Sequence, residues 1–304
     1  MRSFSYECPS TLKEAFRLLS APDGAARPLA GGTDLIIRLR DRSIRPGMVV
    51  DVKRIPDLRP RIEVDREHLT IGATTTMSDV GASDLVRRHF LALAEAALVV
   101  GSVQIRNRAT LAGNLCNASP AADTATSLLA FGAVVVLTGI DGTRRVPLDD
   151  FFVRSGTTTM RPAELMTSIE IPLPAPGAGS VHLRRTRRRG HDLAAVTMSC
   201  VIGADGATRL AYGSVGPRAV VFADESGALA DPTVSDEARS AVLTRMFAIA
   251  SPSPTSMRAA PDYRLAMLNL LGRRAVAVAL ERMGGTGATG RRASAPGPRG
   301  GRSA

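Results

Sequence analysis

An α+β protein in two parts, followed by a loose basic tail, is what this sequence predicts. Three observations carry that expectation. The length of 304 residues corresponds to about two domains, each able to bury a core. Short strand-like runs alternate with helix-like ones along most of the chain. Three polar, small-residue runs lie upstream of position 124, so the larger first part is expected to hold one extended ligand from several sides.

The elements follow in order. Thr11 followed by Glu14 fits a capping box, with Leu12, Ala15, Leu18 and Leu19 at helical spacing behind it. The Ala21-Pro22-Asp23-Gly24 turn closes that helix. Pro28-Leu29-Ala30 leads into the first glycine run, and 35–39 reads as a short helix. Strands are expected at 48–52, 62–64, 69–73 and 133–137, and a strand ends at Ile169-Glu170-Ile171-Pro172. An Ala- and Leu-rich buried helix is expected at 89–100, and a linker at 174–179. Beyond it, Val196, Met198, Cys200 and Ile202 alternate with Thr197 and Ser199, the pattern of a half-buried antiparallel strand. Helices are expected at 236–250 and 263–283. From 284 onward the Gly, Ala, Arg, Ser and Pro composition cannot build a core and predicts disorder.

Composition narrows the function classes. Hydrophobic content of 44% and charged content of 22% are those of a soluble globular protein. Only 4% of residues are aromatic and none is Trp, so stacking on bases is not an expected activity. No apolar run approaches the ~18 residues of a membrane helix; the best, 91–100, is short and carries Glu95. There is no secretory pattern at the N-terminus. Cys8, Cys116 and Cys200 are widely spaced and match no metal or disulfide framework, which points to a reducing cytoplasm. The net charge of +11 is borne by arginine, since Lys13 and Lys53 are the only lysines. The basic excess concentrates in the tail (Arg291, Arg292, Arg299, Arg302) and at Arg184, Arg185, Arg187, Arg188 and Arg189. That is too confined for a nucleic-acid surface, and no nucleic acid is expected as partner. The second cluster predicts a docking face for an acidic partner.

The three runs carry the chemistry. Ala30-Gly31-Gly32-Thr33-Asp34-Leu35 places two glycines before a short helix. That arrangement suits either phosphate binding by backbone N–H groups or a tight turn whose Asp34 caps the helix. It is neither a three-glycine dinucleotide fingerprint nor a P-loop. In Thr70-Ile71-Gly72-Ala73-Thr74-Thr75-Thr76 the threonines also read as ordinary strand residues. The run 104–123 is so rich in small, hydroxyl and amide residues that it reads as a long loop wrapping a ligand rather than a core element. No Ser/His/Asp, Cys/His or paired-carboxylate constellation is present, and His68, His89, His182 and His191 are scattered. A polar cradle without catalytic groups implies that the ligand itself brings the chemistry.

Taken in order, these runs resemble the FAD-binding medium subunits of the molybdenum hydroxylases, the family of the aerobic carbon monoxide dehydrogenase medium subunit and the xanthine dehydrogenase flavin domain. The likeness continues through Thr167-Ser168-Ile169-Glu170-Ile171-Pro172, Arg184, Asp192-Leu193-Ala194-Ala195-Val196, Gly213-Ser214-Val215-Gly216-Pro217 and Asp262-Tyr263-Arg264, covering essentially 1–283. It implies a two-part FAD-binding domain of the vanillyl-alcohol-oxidase type at 1–176, a smaller α+β domain at 177–283 and a basic tail at 284–304. It places FAD against Pro28, Leu29, Ala30, Gly31, Gly32, Thr33, Asp34, Leu35, Val100, Gly101, Thr110, Gly113, Asn114, Cys116, Ser119, Asp123, Met166 and Arg184. The pyrophosphate would lie on the first run and on the amides of Gly113 and Asn114, with the Thr33 and Thr110 hydroxyls assisting. Asp123 would face the flavin or ribityl end, Met166 and Val100 its two faces, and Arg184 its edge. Where the family carries glycine, this chain has Ala109 and Ala112, adding two methyls beside the pyrophosphate. The resemblance further implies an electron-transfer role. Partners would be a large molybdenum-cofactor subunit and a small [2Fe–2S] subunit, in a cytoplasmic dimer of heterotrimers, with no metal in this chain. The alternatives are a self-contained flavin-dependent oxidoreductase and a basic nucleic-acid-binding or scaffold protein.

Overall fold

The computed structural model describes residues 3–22, 25–188 and 190–283. The turn at 21–24 lies partly, and the tail from 284 wholly, outside the described residues.

The first lobe is small. Strands β1 (Ser5–Glu7), β2 (Ala26–Leu29) and β3 (Met48–Asp51) form a parallel sheet of order β1-β3-β2, linked by α1 (Leu12–Leu19) and α2 (Leu35–Arg40). Thr11 caps α1 by accepting the Glu14 N–H, and the Glu14 carboxylate accepts from Ser10 rather than from Thr11, so the box is displaced by one residue. Strand β3 stops one residue short of expectation because the Asp51 carboxylate accepts the Lys53 N–H and starts a 3-10 turn.

The second lobe begins with β4 (Ile62–Val64) and β5 (His68–Gly72). Six helices follow: α3 (Met77–Ala82), α4 (Asp84–His89), α5 (Leu91–Leu98), α6 (Val103–Arg106), α7 (Leu111–Cys116) and α8 (Asp123–Ala130). Strands β6 (Val134–Gly139) and β7 (Gly142–Pro147), the short α9 (Leu148–Phe151), β8 (Phe152–Arg154), β9 (Thr157–Thr158) and β10 (Leu165–Pro172) complete it. The main sheet is antiparallel, of order β4-β5-β10-β6-β7. Thr74 and Thr75 stand in the turn after β5 rather than in a strand, and Thr76 forms a capping box with Asp79.

The third lobe is an antiparallel meander of β11 (Gly179–Arg185), β12 (Val196–Ile202), β13 (Thr208–Gly213) and β14 (Val220–Asp224), covered by α10 (Asp236–Met246) and α11 (Pro261–Arg282). The mixed helix and sheet architecture, ending in an antiparallel-sheet domain, is the expected α+β class. Among the described residues no helix is long and apolar enough to cross a membrane.

Two readings of the sequence are corrected here. The run 104–123 is not a loop: it holds α6, α7 and the start of α8, and Ala109, Leu111, Ala112, Leu115, Ala118, Ala121 and Ala122 are buried. Small residues belong there because the helices are short and closely packed. Strand β12 is not half-buried either, since every residue from Val196 to Ile202 is covered. Its apolar face meets α11 and its hydroxyl face meets α8.

Helix α11 rests directly on β11. A Cβ at Gly179 would stand 1.9 Å from the Ala279 carbonyl oxygen, and backbone cannot yield as a side chain can. Gly179→Ala is expected to destabilise the chain by about 2 kcal/mol, read as a lower denaturant midpoint with unchanged slope.

Candidate cofactor-binding site

The three lobes meet around one cavity of about 520 Å³, within the roughly 300–1,000 Å³ of ordinary ligand sites. The first lobe contributes Arg27, Pro28 and residues 30–35, with Ile37, Arg38 and Ile44. The second contributes Val52, Leu58, Ala73, Thr74, Val100, Gly101, Ile105 and the α7–α8 segment, with Met160, Leu165 and Met166. The third contributes Arg184, His191, Asp192 and Leu193.

One wall is backbone. A Cβ at Gly31 would lie 2.1 Å from the Arg108 carbonyl oxygen, so the glycine run packs flush on the segment before α7. Gly32 follows with φ +78°, a left-handed conformation that side chains resist. Among the described residues, the N–H groups of Gly31, Gly32, Thr33 and Asp34 donate to no group of the chain. Successive unsatisfied donors next to a left-handed glycine make an anion-binding concavity that needs no lysine. Asp34 does not cap α2: its carboxylate accepts from Asn117 Nδ2 at 3.3 Å, and burial raises its pKa against the opposing pull of Arg38.

The opposite corner is charged. Asp123, buried at the start of α8, accepts from Arg184 Nη1 at 2.7 Å and from Thr197 Oγ1 at 2.9 Å. Arg184 also donates to the Val99 carbonyl at 2.9 Å and to the Asp192 carbonyl, tying β11 to the end of α5 and to Asp192. Arg187 pairs with the Asp192 carboxylate at 3.0 Å and holds its pKa down to about 2. Arg185 donates to the Tyr263 hydroxyl. Two of the five clustered arginines are therefore neutralised by acids of this chain, which weakens the expectation of a bare cationic docking face; Arg189 lies outside the described residues. Burial pushes the Cys116 thiol up to about 12, so this residue is a small apolar wall rather than a nucleophile.

Of the residues expected at the cofactor, the structure gathers all but one around this cavity. The exception is Leu29, whose side chain packs beneath Gly32 in β2 and does not line the wall. The mode expected for two others is corrected as well. The Gly113 N–H is bound by Thr110 Oγ1 at 3.0 Å and the Asn114 N–H by the Thr110 carbonyl, so both amides are spent inside α7. Because Asn114 Oδ1 accepts from Thr124, its Nδ2 amide is the group left to donate. Ala109 and Ala112 are both accommodated in the wall. Arg27, Arg38, Ile105, Met160, Leu165 and His191 were not foreseen, since nothing local in the sequence marks residues gathered from separate elements.

A cavity lined by a backbone anion nest, by apolar residues such as Val100, Ile105, Leu165 and Met166, and by a charged corner suits a dinucleotide. Comparison with known families settles the kind. Residues 2–174 match the family described as "FAD binding domain in molybdopterin dehydrogenase". The chain belongs to that flavoprotein family. Residues 182–279 match the "CO dehydrogenase flavoprotein C-terminal domain". Among relatives, the carbon monoxide dehydrogenase medium chain of Hydrogenophaga pseudoflava is 32% identical over 283 residues, covering 92% of this chain and 98% of its own. The xanthine dehydrogenase FAD-binding subunit of Escherichia coli is 28% identical over 286 residues, covering 92% and 97%. The structure of carbon monoxide dehydrogenase from H. pseudoflava superposes with a TM-score of 0.86 at 31% identity, covering 93% of this chain and 99% of that one. This molybdopterin dehydrogenase flavoprotein chain thus shares the architecture of that solved relative over 93% of its length.

Gly31→Ala should push the first glycine run off the Arg108 carbonyl, and Gly32→Val should strain the left-handed turn. Each is expected to lower FAD affinity by at least about tenfold, measured by flavin fluorescence titration, while far-ultraviolet circular dichroism stays unchanged.

Proposed function

We propose that this chain is the electron-transferring FAD subunit of a molybdenum-dependent dehydrogenase, working between [2Fe–2S] clusters on a small partner subunit and an external acceptor. The observation that carries this reading is the cavity itself, in which unpartnered amides at 31–34 stand at one wall and the Asp123–Arg184 pair at another. FAD, when bound, supplies the capacity to take electrons singly from metal clusters and release them in pairs.

The residues of this chain bind and orient. The amides of Gly31, Gly32, Thr33 and Asp34 hold the pyrophosphate, helped by the Thr33 hydroxyl, by Asn114 Nδ2 and by the Thr110 and Ser119 hydroxyls. Pro28, Ala30 and Leu35 shape the same wall, and Gly101, Cys116 and Val100 the other. Met166 and Val100 cover the two ring faces. Arg184, fixed by three acceptors, presents positive charge to the ring edge, and Asp123 keeps it there. A carboxylate offers about four acceptor sites, and two of those of Asp123 are used by Arg184 and Thr197.

Cys8, Cys116 and Cys200 are dispersed along the chain, unlike the grouped thiolates that hold the usual four-cysteine [2Fe–2S] cluster. The clusters and the molybdenum cofactor therefore belong on partners, a small and a large subunit, in a cytoplasmic dimer of heterotrimers. That relatives are named as a medium chain and a FAD-binding subunit supports such an assembly. The proposed division assigns FAD binding to 1–176 and the C-terminal α+β domain to 177–283.

Cys116, in the cavity wall, has its thiol pushed up to about 12 and is a poor nucleophile, so FAD should be held non-covalently at about one per chain. Acid precipitation is expected to release all the yellow colour into the supernatant; flavin remaining with the pellet would contradict this. Co-expression with the large and small subunits should yield a complex whose FAD is bleached by the substrate, whereas the isolated chain stays oxidised.

A further inference from the structure

Arg264, in the first turn of α11, is only 2% exposed. Its Nε donates to the Ala195 carbonyl at 3.1 Å, just before β12, while its Nη1 is buried and donates to nothing. A guanidinium keeps its charge in a protein, so burial leaves both the charge and the unused donors to be answered. Among the described residues no carboxylate pairs with it. Burial, and after it the charge of Arg258, hold its pKa below the usual arginine value.

Arg258 repeats the pattern. It lies in the segment leading into α11, is half-buried, and its guanidinium makes no hydrogen bond among the described residues. Besides Arg264, the charges that reach it are those of Arg187 and Asp192. The Asp192 carboxylate is already engaged by Arg187, through Nη2 at 3.0 Å and the backbone N–H at 3.2 Å. The start of α11 is open as well. Ala260 provides no side-chain cap, Pro261 has no N–H, and the N–H groups of Asp262 and Tyr263 donate to no group among the described residues. A 22-residue helix presents partial positive charge at that end, and the Arg264 side chain tilts back toward it. Asp262 is exposed and roughly 200° round the helix from Arg264, so it does not answer that charge.

We propose that Arg258, Arg264 and the open start of α11 form a binding site for a small oxyanion of the phosphate class, separate from the FAD cavity. The anion bridges two guanidiniums that otherwise repel each other, Arg264 from inside and Arg258 from the half-open side. Phosphate oxygens accept charge-assisted bonds from both and answer the unpartnered Nη1. Arg258 belongs to an irregular segment whose Met257 is 92% exposed, so it can shift to admit the ion. Arg187 connects this site to the cavity, since it donates to the Met257 carbonyl and holds the carboxylate of Asp192, which lines the cavity.

Calorimetric titration of the FAD-saturated full-length chain with inorganic phosphate tests this, with ionic strength kept constant by chloride. Filling the cavity first keeps phosphate away from the free amides at 31–34. The wild type should bind phosphate, and Arg258→Gln and Arg264→Gln should each bind it at least about tenfold more weakly. Circular dichroism reports whether each variant folds; if Arg264→Gln does not, Arg258→Gln at its half-buried position decides alone. A wild type that binds no phosphate overturns the proposal, and so does an unchanged affinity in Arg258→Gln. The site does not depend on the flavin reading. If the chain takes up no FAD, the same titration is run beside Gly32→Val. Phosphate binding lost in Arg258→Gln and kept in Gly32→Val supports the site, and the reverse pattern overturns it.

Discussion

Helix α8 is covered along its whole length, from Asp123 to Ala130, although half of its residues are polar. A buried polar group without a partner costs about 1–3 kcal/mol, so the fold depends on something answering each of these groups. Thr124 is answered within the second lobe by Asn114 Oδ1, and the rest of the answer comes largely from the third lobe. Thr197 and Ser199 of β12 reach across to Asp123, Thr126 and Ser127, and His182 and Arg184 of β11 complete the set. The seam between the second and third lobes is therefore a satisfied polar network rather than an apolar interface. Such a network tolerates few alternative arrangements, because sliding the lobes by one residue would orphan several hydroxyls at once.

That rigidity is transmitted to the cavity. Asp123 is both the first residue of α8 and part of the cavity wall, so the seam and the wall share one carboxylate. Arg184 extends the same logic: its guanidinium joins α8, the end of α5 and Asp192 before it presents anything to a ligand. The opposite wall is built by a different device. At Gly31 the backbone of the first lobe presses on the backbone before α7, and the absence of a side chain permits the approach. A site fixed by polar pairing on one side and by close backbone packing on the other can grip a long, charged ligand without a flexible lid.

The basic composition also takes on a different meaning in three dimensions. Counted along the chain, the arginines from 184 to 189 form a block of like charge. In space Arg184 turns inward to Asp123, Arg187 to Asp192 and Arg185 to Tyr263, so neighbouring arginines diverge, those of the strand by its alternation. Net charge in sequence is thus a poor guide to surface potential when an acid that answers it, as Asp123 answers Arg184, lies some sixty residues away.

Sequence alone was enough for the class of fold and for the kind of ligand. The strands at β5, β6, β10 and β12, the helices α1, α2, α10 and α11, and the glycine run at 30–35 were all legible, because each depends on local periodicity, capping or a short backbone requirement. The ordered recurrence of several short runs was enough to suggest the flavoprotein family. What the sequence misrepresented was the stretch 104–123 and the outer face of β12. Small and hydroxyl residues are read locally as solvent-facing, yet they are equally suited to a tightly packed interior where hydroxyls meet polar partners. Only the tertiary structure decided between those two, since the partners of α8 lie on strands that follow it by some seventy residues. For the same reason it alone placed Leu29 outside the cavity, spent the Gly113 and Asn114 amides within α7, and set an isolated histidine against Asp123. Local chemistry determined which groups were available, and long-range packing determined which of them remained free to bind.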